Sequence, residues 1–380
     1  MKVKLSNSQK AVIECLKKKN RITYDELVLS TGLSYSGIRS RISELVKKGF
    51  NITRERLNGI TIIYYSKDKD LLKKPIKPSE KYLNNIKSIE DFYNIVDFLN
   101  TIKIKKSNID YKNLSKKIAK KDFILVLSDI HLGEIIKDST NGKIIYNIDI
   151  CKQRMQKLTT NLLKILKEKG ATHLNIALLG DMIDGDMIYK NHTFNIEKSA
   201  IEQVKDVVEI LNNMFNTLIE NGIKITTYCV RGNHGVTNYH NLEEDNWDNV
   251  VYKMLDIIAE HNNNLTINHF MTPEGMIKIK DKKILILHGD VFGDQIKTSA
   301  GLKYFRGLCT KHNLLNGDLV LVGHYHTFGI EYDQGKILIR NGSIASTSPY
   351  AFSLNLFSVP EQTLLVVDKS HYPLIIPIEL

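Results

Sequence analysis

Five short apolar runs mark the last two-thirds of this 380-residue chain, at residues 123–127, 174–179, 223–230, 284–287 and 319–322. Each is the length of one buried strand and is bounded by glycine or charge. Between them lie longer stretches with apolar residues at three- and four-residue intervals, notably 150–169 and 197–219, which is the spacing of amphipathic helices. From about Thr327 the chain reads as successive strands. Strands alternating with helices predict an α/β architecture with mixed sheets.

The first 66 residues follow another pattern. Val12, Ile13 and Leu16 share one face of a helix predicted over 8–19. Thr23 with Glu26 three residues on is a capping box, opening a second short helix that stops at Gly32. Ser34 starts a third, with Ile38, Ile42, Leu45 and Val46 on one stripe and Gly49 closing it. The run NITRERLNGITIIYYS follows, two extended segments about Asn58-Gly59, a dipeptide favoured in tight hairpins. Three helices and a hairpin in this order resemble the winged helix-turn-helix family. The resemblance covers residues 1–66 and makes the third helix the recognition helix. It implies groove or phosphate contacts from Ser34, Tyr35, Ser36, Arg39 and Arg41, with Arg54 and Arg56 on the wing. DNA is the expected partner and a protein surface the alternative.

Charge sharpens this division. Residues 1–121 hold 28 of the 53 Lys and Arg but only 12 of the 42 Asp and Glu, an excess of +16, against −5 for the remainder. A basic third attached to a faintly acidic body suggests a polyanion-binding module joined to a part with other work. Residues 67–120 read as a basic linker, broken by Pro75 and Pro78, with one helix expected at 88–99. No run of eighteen apolar residues offers a membrane span, and MKVKLSNSQK has no apolar core of a secretory signal. Cys15, Cys151, Cys229 and Cys309 lie far apart, which excludes a CxxC zinc site and fits a reducing cytoplasm.

The chemistry sits where the apolar runs stop. Asp129-Ile130-His131 follows the first, and Gly180-Asp181-Met182-Ile183-Asp184-Gly185 the second. Arg231-Gly232-Asn233-His234-Gly235, His288-Gly289-Asp290 and Gly323-His324-Tyr325-His326 follow the other three. In extended chain, residues i and i+2 point the same way, so Asp129 and His131 face one point in space. An unpaired buried carboxylate is costly, and a divalent cation beside it removes that cost. Open α/β sheets place their sites at such strand ends. The histidines, aspartates and asparagine of these blocks make a mixed nitrogen and oxygen donor set, suited to Mn, Fe or Zn rather than Mg or Ca.

The blocks DxH, GDxxD, GNH, a later His and GHxH, in this order, resemble the calcineurin-like metallophosphoesterase superfamily from about residue 121 to the C-terminus. The resemblance implies an α/β sandwich of two mixed β-sheets flanked by helices, following the winged helix (1–66) and linker (67–120) as a domain at 121–380. It also implies two divalent ions, with Mn the first expectation and Fe or Zn the alternatives. Asp129, His131, Asp181 and His326 would hold one ion, and Asp181 would bridge to a second held by Asn233, His288 and His324. His234 would protonate the leaving oxygen or stabilise its charge, and Asp184 would orient that imidazole.

The superfamily spans protein phosphatases, nucleotidases, cyclic-nucleotide phosphodiesterases and nucleases. Its phosphoprotein phosphatases carry Arg after the second block and an acid after GNH, where this chain has Gly185-Asp186 and Gly235. Its repair nucleases often have His at the position of Asp184. The basic module decides in favour of DNA, because tethering concentrates a DNA phosphodiesterase on its substrate. A phosphomonoesterase or Ser/Thr protein phosphatase with an interaction module is the alternative, and a DNA-binding regulator with a structural metal site is a third reading. Segments 235–247 and 293–305 are expected to be substrate-contacting loops carrying Tyr239, His240, Trp247, Lys297, Lys303 and Tyr304, with Arg306 just beyond. A homo-oligomer or an ATPase partner, as nuclease relatives often have, is left open.

Overall fold

In the computed structural model, the described residues are 5–19, 21–50, 52–57, 60–65, 95, 97–99, 101–102, 121–138, 140–186, 188, 192–237, 245–295, 299–345, 347, 357–368 and 370–380. The chain divides into two compact units, Met1–Pro78 and Ser79–Leu380. Most of the expected linker, its helix at 88–99 apart from residues 95 and 97–99, and the Asn58-Gly59 turn lie outside the described residues.

The N-terminal unit contains α1 (Asn7–Lys19), β1 (Arg21–Thr23), α2 (Tyr24–Thr31), α3 (Tyr35–Lys47), β2 (Ile52–Leu57) and β3 (Ile60–Tyr65). Local chemistry sets its boundaries. Thr23 Oγ1 accepts from Glu26 N at 3.2 Å, while a Glu26 carboxylate oxygen accepts from Thr23 N at 2.9 Å, completing the capping box. Gly32 ends α2 at φ 64°, a left-handed conformation that a side chain would strain. Ser34 caps α3 by accepting from Gly37 N at 3.2 Å. Ile38, Ile42 and Leu45 pack with Val12, Leu16, Leu27 and Ile63 in one core. Val46, expected on that stripe, is 42% exposed. The short β1, absent from the sequence reading, pairs antiparallel with β3 to give the order β1-β3-β2.

The C-terminal unit is a sandwich of two sheets. One has six strands in the order β16-β15-β4-β7-β8-β9. Their ranges are β4 (Asp122–Leu127), β7 (His173–Leu178), β8 (Lys224–Cys229), β9 (Leu265–His269), β15 (Glu361–Val367) and β16 (Leu374–Glu379). The other has five, ordered β10-β11-β12-β14-β13. These are β10 (Glu274–Ile279), β11 (Lys282–Leu287), β12 (Leu319–Val322), β13 (Gly329–Asp333) and β14 (Lys336–Arg340). Ile136–Lys137 (β5) and Ile144–Tyr146 (β6) form a small separate ribbon.

The two sheets share one core. Ile124, Val126, Ala177 and Val230 from the first meet Ile284, Ile286, Leu319, Leu321 and Ile339 from the second. Helices α4 (Ile148–Glu168), α5 (Ala200–Glu220) and α6 (Trp247–Ala259) lie against the first sheet. Helix α7 (Ser299–Lys311) packs Phe305 and Leu308 onto Leu285, Val320 and Leu338 of the second. Central strands are thus buried on both faces, which is why they read as unbroken apolar runs rather than alternating ones. Strands β4, β7 and β8 run parallel, as do β11 and β12, so the five polar blocks all leave C-terminal strand ends. Among the described residues no helix is long and apolar enough to cross a membrane.

Candidate metal centre

Main-chain hydrogen bonds join the first turn to the second and the fourth to the fifth. Asp129 N donates to Gly180 O at 3.1 Å, His131 N to Asp181 O at 3.0 Å, and Gly323 N to His288 O at 2.7 Å. His324 N donates to both Asp129 carboxylate oxygens at 3.0 and 3.1 Å, joining the two sheets. The packing leaves no space for a β-carbon at Gly232, which would lie 2.1 Å from Asp181 Oδ1.

The backbone is strained where the donors sit. Asp129, His131, Asp181, His324 and His326 all have φ between 46° and 69°, five of the eight non-glycine residues with positive φ among the described residues. For an L-residue this costs about 1–2 kcal/mol each, and it persists only where surrounding structure imposes it. The strain is concentrated on side chains with metal-binding atoms.

Among the described residues such atoms form three groups, one of them His131 with Asp184 and His234, and the other two made only of sequence-derived ligand candidates. Asp129, His131 and His326 each bring one donor within 4.8 Å of the others, as do Asp181, His288 and His324. Asp181 lies between these two groups, with Oδ2 3.1 Å from His288 Nε2 and 3.7 Å from His131 Nε2. Asn233 Oδ1 is 2.9 Å from His288 Nε2. All seven sequence-derived candidates therefore come together.

The tautomers test whether cations fit. His288 Nδ1 donates to the Leu179 carbonyl at 2.7 Å, and His131 Nδ1 to Asp184 Oδ1 at 3.1 Å. Each neutral ring then turns its Nε2 lone pair into the cluster. That of His288 meets two oxygens, and that of His131 meets His326 Nε2 at 3.0 Å. Lone pairs this close repel unless a proton or a cation stands between them. Burial opposes charge on His288, yet Asp181 outweighs it and lifts the imidazole to about 10. Burial, then His288, push His324 down to about 4. The two adjacent histidines are thus driven in opposite directions, His288 up by the Asp181 carboxylate and His324 down by burial and by His288. Divalent cations would fit this mixed imidazole and carboxylate donor set.

Asp184 lies behind the donors and is almost fully buried. Its Oδ1 accepts from His131 Nδ1 and, at 3.0 Å, from His234 Nδ1. Burial opposes its charge, but hydrogen bonds from His131 and then His192 hold the carboxyl below its ordinary range. His234 keeps 22% of its side chain exposed, with Nδ1 committed and Nε2 free to face a substrate. Burial opposes its protonation, but Asp181 and then Asp184 raise it to about 9. Cations at the clusters would offset part of that attraction.

Two supporting residues escaped the sequence reading. Asp248, fully buried near the start of α6, accepts from Asp181 N, Met182 N and Gly232 N at 2.8–3.0 Å. It thus clamps the second and third turns together. The available signal was Asn246 two residues earlier, a helix cap with an acid in the first turn. Asn246 also explains Gly235, because a β-carbon there would lie 2.1 Å from Asn246 Oδ1. His192, in the 3-10 turn His192–Asn195, places Nε2 2.6 Å from Asp184 Oδ2. No periodicity announced it.

The winged-helix candidates differ among themselves. Tyr35 is 50% exposed and stacks on Tyr24 with ring centroids 4.6 Å apart. Ser34, Ser36 and Arg39 are exposed at the start of α3. Arg41 is instead engaged by Glu44 at 2.6 and 2.8 Å, and Arg54 donates to Ser43 Oγ at 2.8 Å. Arg56 lies on β2.

The expected substrate loops are partly helical. Trp247 is the first residue of α6 and is buried, because its ring fills the core rather than facing solvent. Lys303 and Tyr304 lie exposed on α7, Tyr304 edge-on to Phe292, while Arg306 pairs with both Asp333 oxygens at 2.8 Å. Tyr239, His240 and Lys297 fall outside the described residues.

Residues 124–341 match the family model for calcineurin-like phosphoesterases, and residues 5–50 that for winged helix-turn-helix DNA-binding domains. Several solved structures are similar at low identity. A conserved uncharacterized protein from Streptococcus pneumoniae, described as a predicted phosphoesterase, is 12% identical over 68% of this chain and 90% of its own, with a TM-score of 0.30. Wild-type Vps29 from Entamoeba histolytica, complexed with zinc, is 15% identical over 68% and 98%, with a TM-score of 0.31. The E. coli phosphoesterase YfcE is 16% identical over 68% and 98%, with a TM-score of 0.32. No curated protein matches the chain.

Proposed function

The chain belongs to the calcineurin-like phosphoesterase family, and from that premise we propose that it is a two-metal phosphodiesterase acting on DNA, a nuclease carried to its substrate by the winged helix. The observation that carries this reading is the pairing of two buried donor groups around Asp181 with a strongly basic winged-helix unit. DNA repair, recombination or replication is the setting such an activity serves. Four free cysteines fit work in the cytoplasm.

Asp129, His131 and His326 would hold one ion, and Asn233, His288 and His324 the other, with Asp181 shared. Manganese is the first choice, with iron and zinc as alternatives. Bound ions supply Lewis-acid polarisation of the phosphoryl oxygens and acidify a water for in-line attack. The chain's own residues do the rest. Asp184 fixes the His131 ring so that its Nε2 faces inward, and fixes His234 through Nδ1. His234 then presents Nε2 to the leaving oxygen and transfers a proton as the ester bond breaks. Asp248 holds the Asp181 and Gly232 main chains in register. Tyr35, Ser36 and Arg39 at the exposed start of α3, with Ser34 at its cap, would approach the DNA, aided by the basic excess of residues 1–121.

End-labelled single- and double-stranded DNA, incubated with the protein and Mn²⁺ beside the His234→Ala variant, tests this. Metal-dependent cleavage lost in the variant is expected. No cleavage, with retained hydrolysis of a phosphomonoester, would make the protein a phosphatase with a targeting module.

A further inference from the structure

We propose that His192 is a positioning residue for proton transfer, acting through Asp184 to hold His234 in line with the leaving oxygen. The inference rests on the proposed role of His234 as proton donor.

The two oxygens of Asp184 serve different partners. Oδ1 serves both His131 and His234, at 3.1 and 3.0 Å. Oδ2 serves His192, whose Nε2 lies 2.6 Å away. An ionised carboxylate only accepts, so His192 donates from Nε2. Its Nδ1 accepts from Ile188 N at 3.2 Å, which fixes the neutral tautomer and leaves no ambiguity about which nitrogen carries the proton. The ring is 1% exposed, so it has no access to substrate and works only through its neighbours.

Asp184 thus faces three imidazoles with different tasks. His131 looks into the metal centre, His234 towards the solvent-open side, and His192 into the protein. A carboxylate bonded only through Oδ1 can swing about its terminal torsion, which is soft and roughly two-fold. Anchoring Oδ2 stops that swing and pins Oδ1 where His234 needs it. The Asp184 main chain adds a second constraint, since its carbonyl lies 3.1 Å from His234 Nδ1. Gln203 holds the following turn, accepting from Gly185 N at 2.9 Å and donating to Gly185 O at 3.0 Å. Within this frame the freedom left to the Asp184 carboxylate is the swing of Oδ2 about the held Oδ1, and His192 removes it.

A proton donor matters in proportion to how poorly the leaving group departs unaided. Protonation at the transition state contributes about 10²–10⁴-fold, and most of that is dispensable when the leaving group is a stabilised phenolate. The phosphoryl oxygens are the same in both esters, so a loss of metal would weigh on both alike. Loss of proton transfer and loss of metal therefore leave different signatures.

The experiment measures kcat/KM of the full-length metal-loaded protein on aryl phosphate esters from p-nitrophenyl to phenyl, in whichever class, diester or monoester, the wild-type protein hydrolyses. Wild type, His234→Ala, His192→Ala and His192→Gln are compared, with bound metal counted and the unfolding midpoint recorded for each. His192→Ala is expected to lose about 10-fold more on the phenyl ester than on the p-nitrophenyl ester, with wild-type metal content. His192→Gln keeps an N–H donor for Oδ2 and is expected to recover most of the loss. A uniform loss across the series, a fall in bound metal, or no loss overturns the inference. If His234→Ala itself shows no leaving-group dependence, the proton-donor reading fails first and takes this inference with it. If only His192→Ala lacks that dependence, the inference fails alone.

Discussion

The two units secure their polar groups over very different sequence distances. In the N-terminal unit the contacts that bound the helices are local and at most part-buried, with Thr23 to Glu26, Ser34 to Gly37 and Arg41 to Glu44 each three residues apart. Its longer side-chain pairs, Gln9 with Glu44 and with Lys48, span 35 and 39 residues. In the C-terminal unit, partners meet from far along the chain and are buried. His131 reaches Asp184 across 53 residues, His324 reaches Asp129 across 195, and Ser128 reaches Gln362 across 234. Local contacts can be changed singly at small cost. Buried contacts between distant turns fail together, because each exposed polar group loses its partner inside a low-dielectric interior. This difference suits the proposed roles, a module that would hold DNA and a centre that would hold metals rigidly.

Four outcomes would break or sharpen the contrast. Asp181→Asn removes the carboxylate shared by both donor groups. It should lower kcat/KM by about 10³-fold or more, the several kcal/mol that a Lewis-acid ion supplies; steady-state kinetics at saturating metal would show it. Next is Asp248→Ala, which strands three buried N–H groups and should cost about 3–5 kcal/mol in chemical denaturation. A loss comparable with a single surface cap would mean that the turns hold themselves.

The cysteines report the two units separately. Burial raises Cys151 to about 12, partly offset by the neighbouring Tyr146 hydroxyl, and raises Cys229 to about 12, partly offset by the neighbouring Thr227 hydroxyl. At pH 9 the native thiols should alkylate roughly 10²-fold or more slower than in the unfolded chain, while half-buried Cys15 labels from the N-terminal unit. The folded state binds these protons more tightly than the unfolded state. Stability of the C-terminal unit should therefore fall as pH rises from about 9, where unfolded thiols ionise, towards 12. The smallest effect belongs to Thr23→Ala, about 1 kcal/mol for a lost helix cap, seen as a lower unfolding midpoint in the N-terminal unit with the C-terminal transition unmoved.

The same contrast explains what the sequence disclosed. Caps and stripes in residues 1–66 are written in neighbouring letters, so α2 and α3 were legible almost to their ends. Val46 was misplaced because a four-residue interval does not say how wide the buried stripe is. In the C-terminal unit, strands buried on both faces stood out as apolar runs, and the polar blocks after them named all seven residues that the fold gathers. Strained turns at Asp129, Asp181 and His324 carry no letter-level mark, since left-handed backbone there is imposed by the loops around them. Asp248 and His192 were hidden for a related reason. A carboxylate that serves main-chain donors, or an imidazole that serves a carboxylate, looks like any other polar residue until the turns are brought together. Trp247 misled in the opposite sense, an aromatic in a polar stretch that the fold turns inward.

The central claim is that five turns, three of them strained, hold two cations about one shared carboxylate. Dialysing the full-length protein against excess Mn²⁺, removing free metal and counting bound metal per chain by mass spectrometry tests it most directly, with Asp181→Asn in parallel. The account predicts two ions per wild-type chain and at most one in the variant. Fewer than one in the wild type, or two retained by the variant, would contradict it.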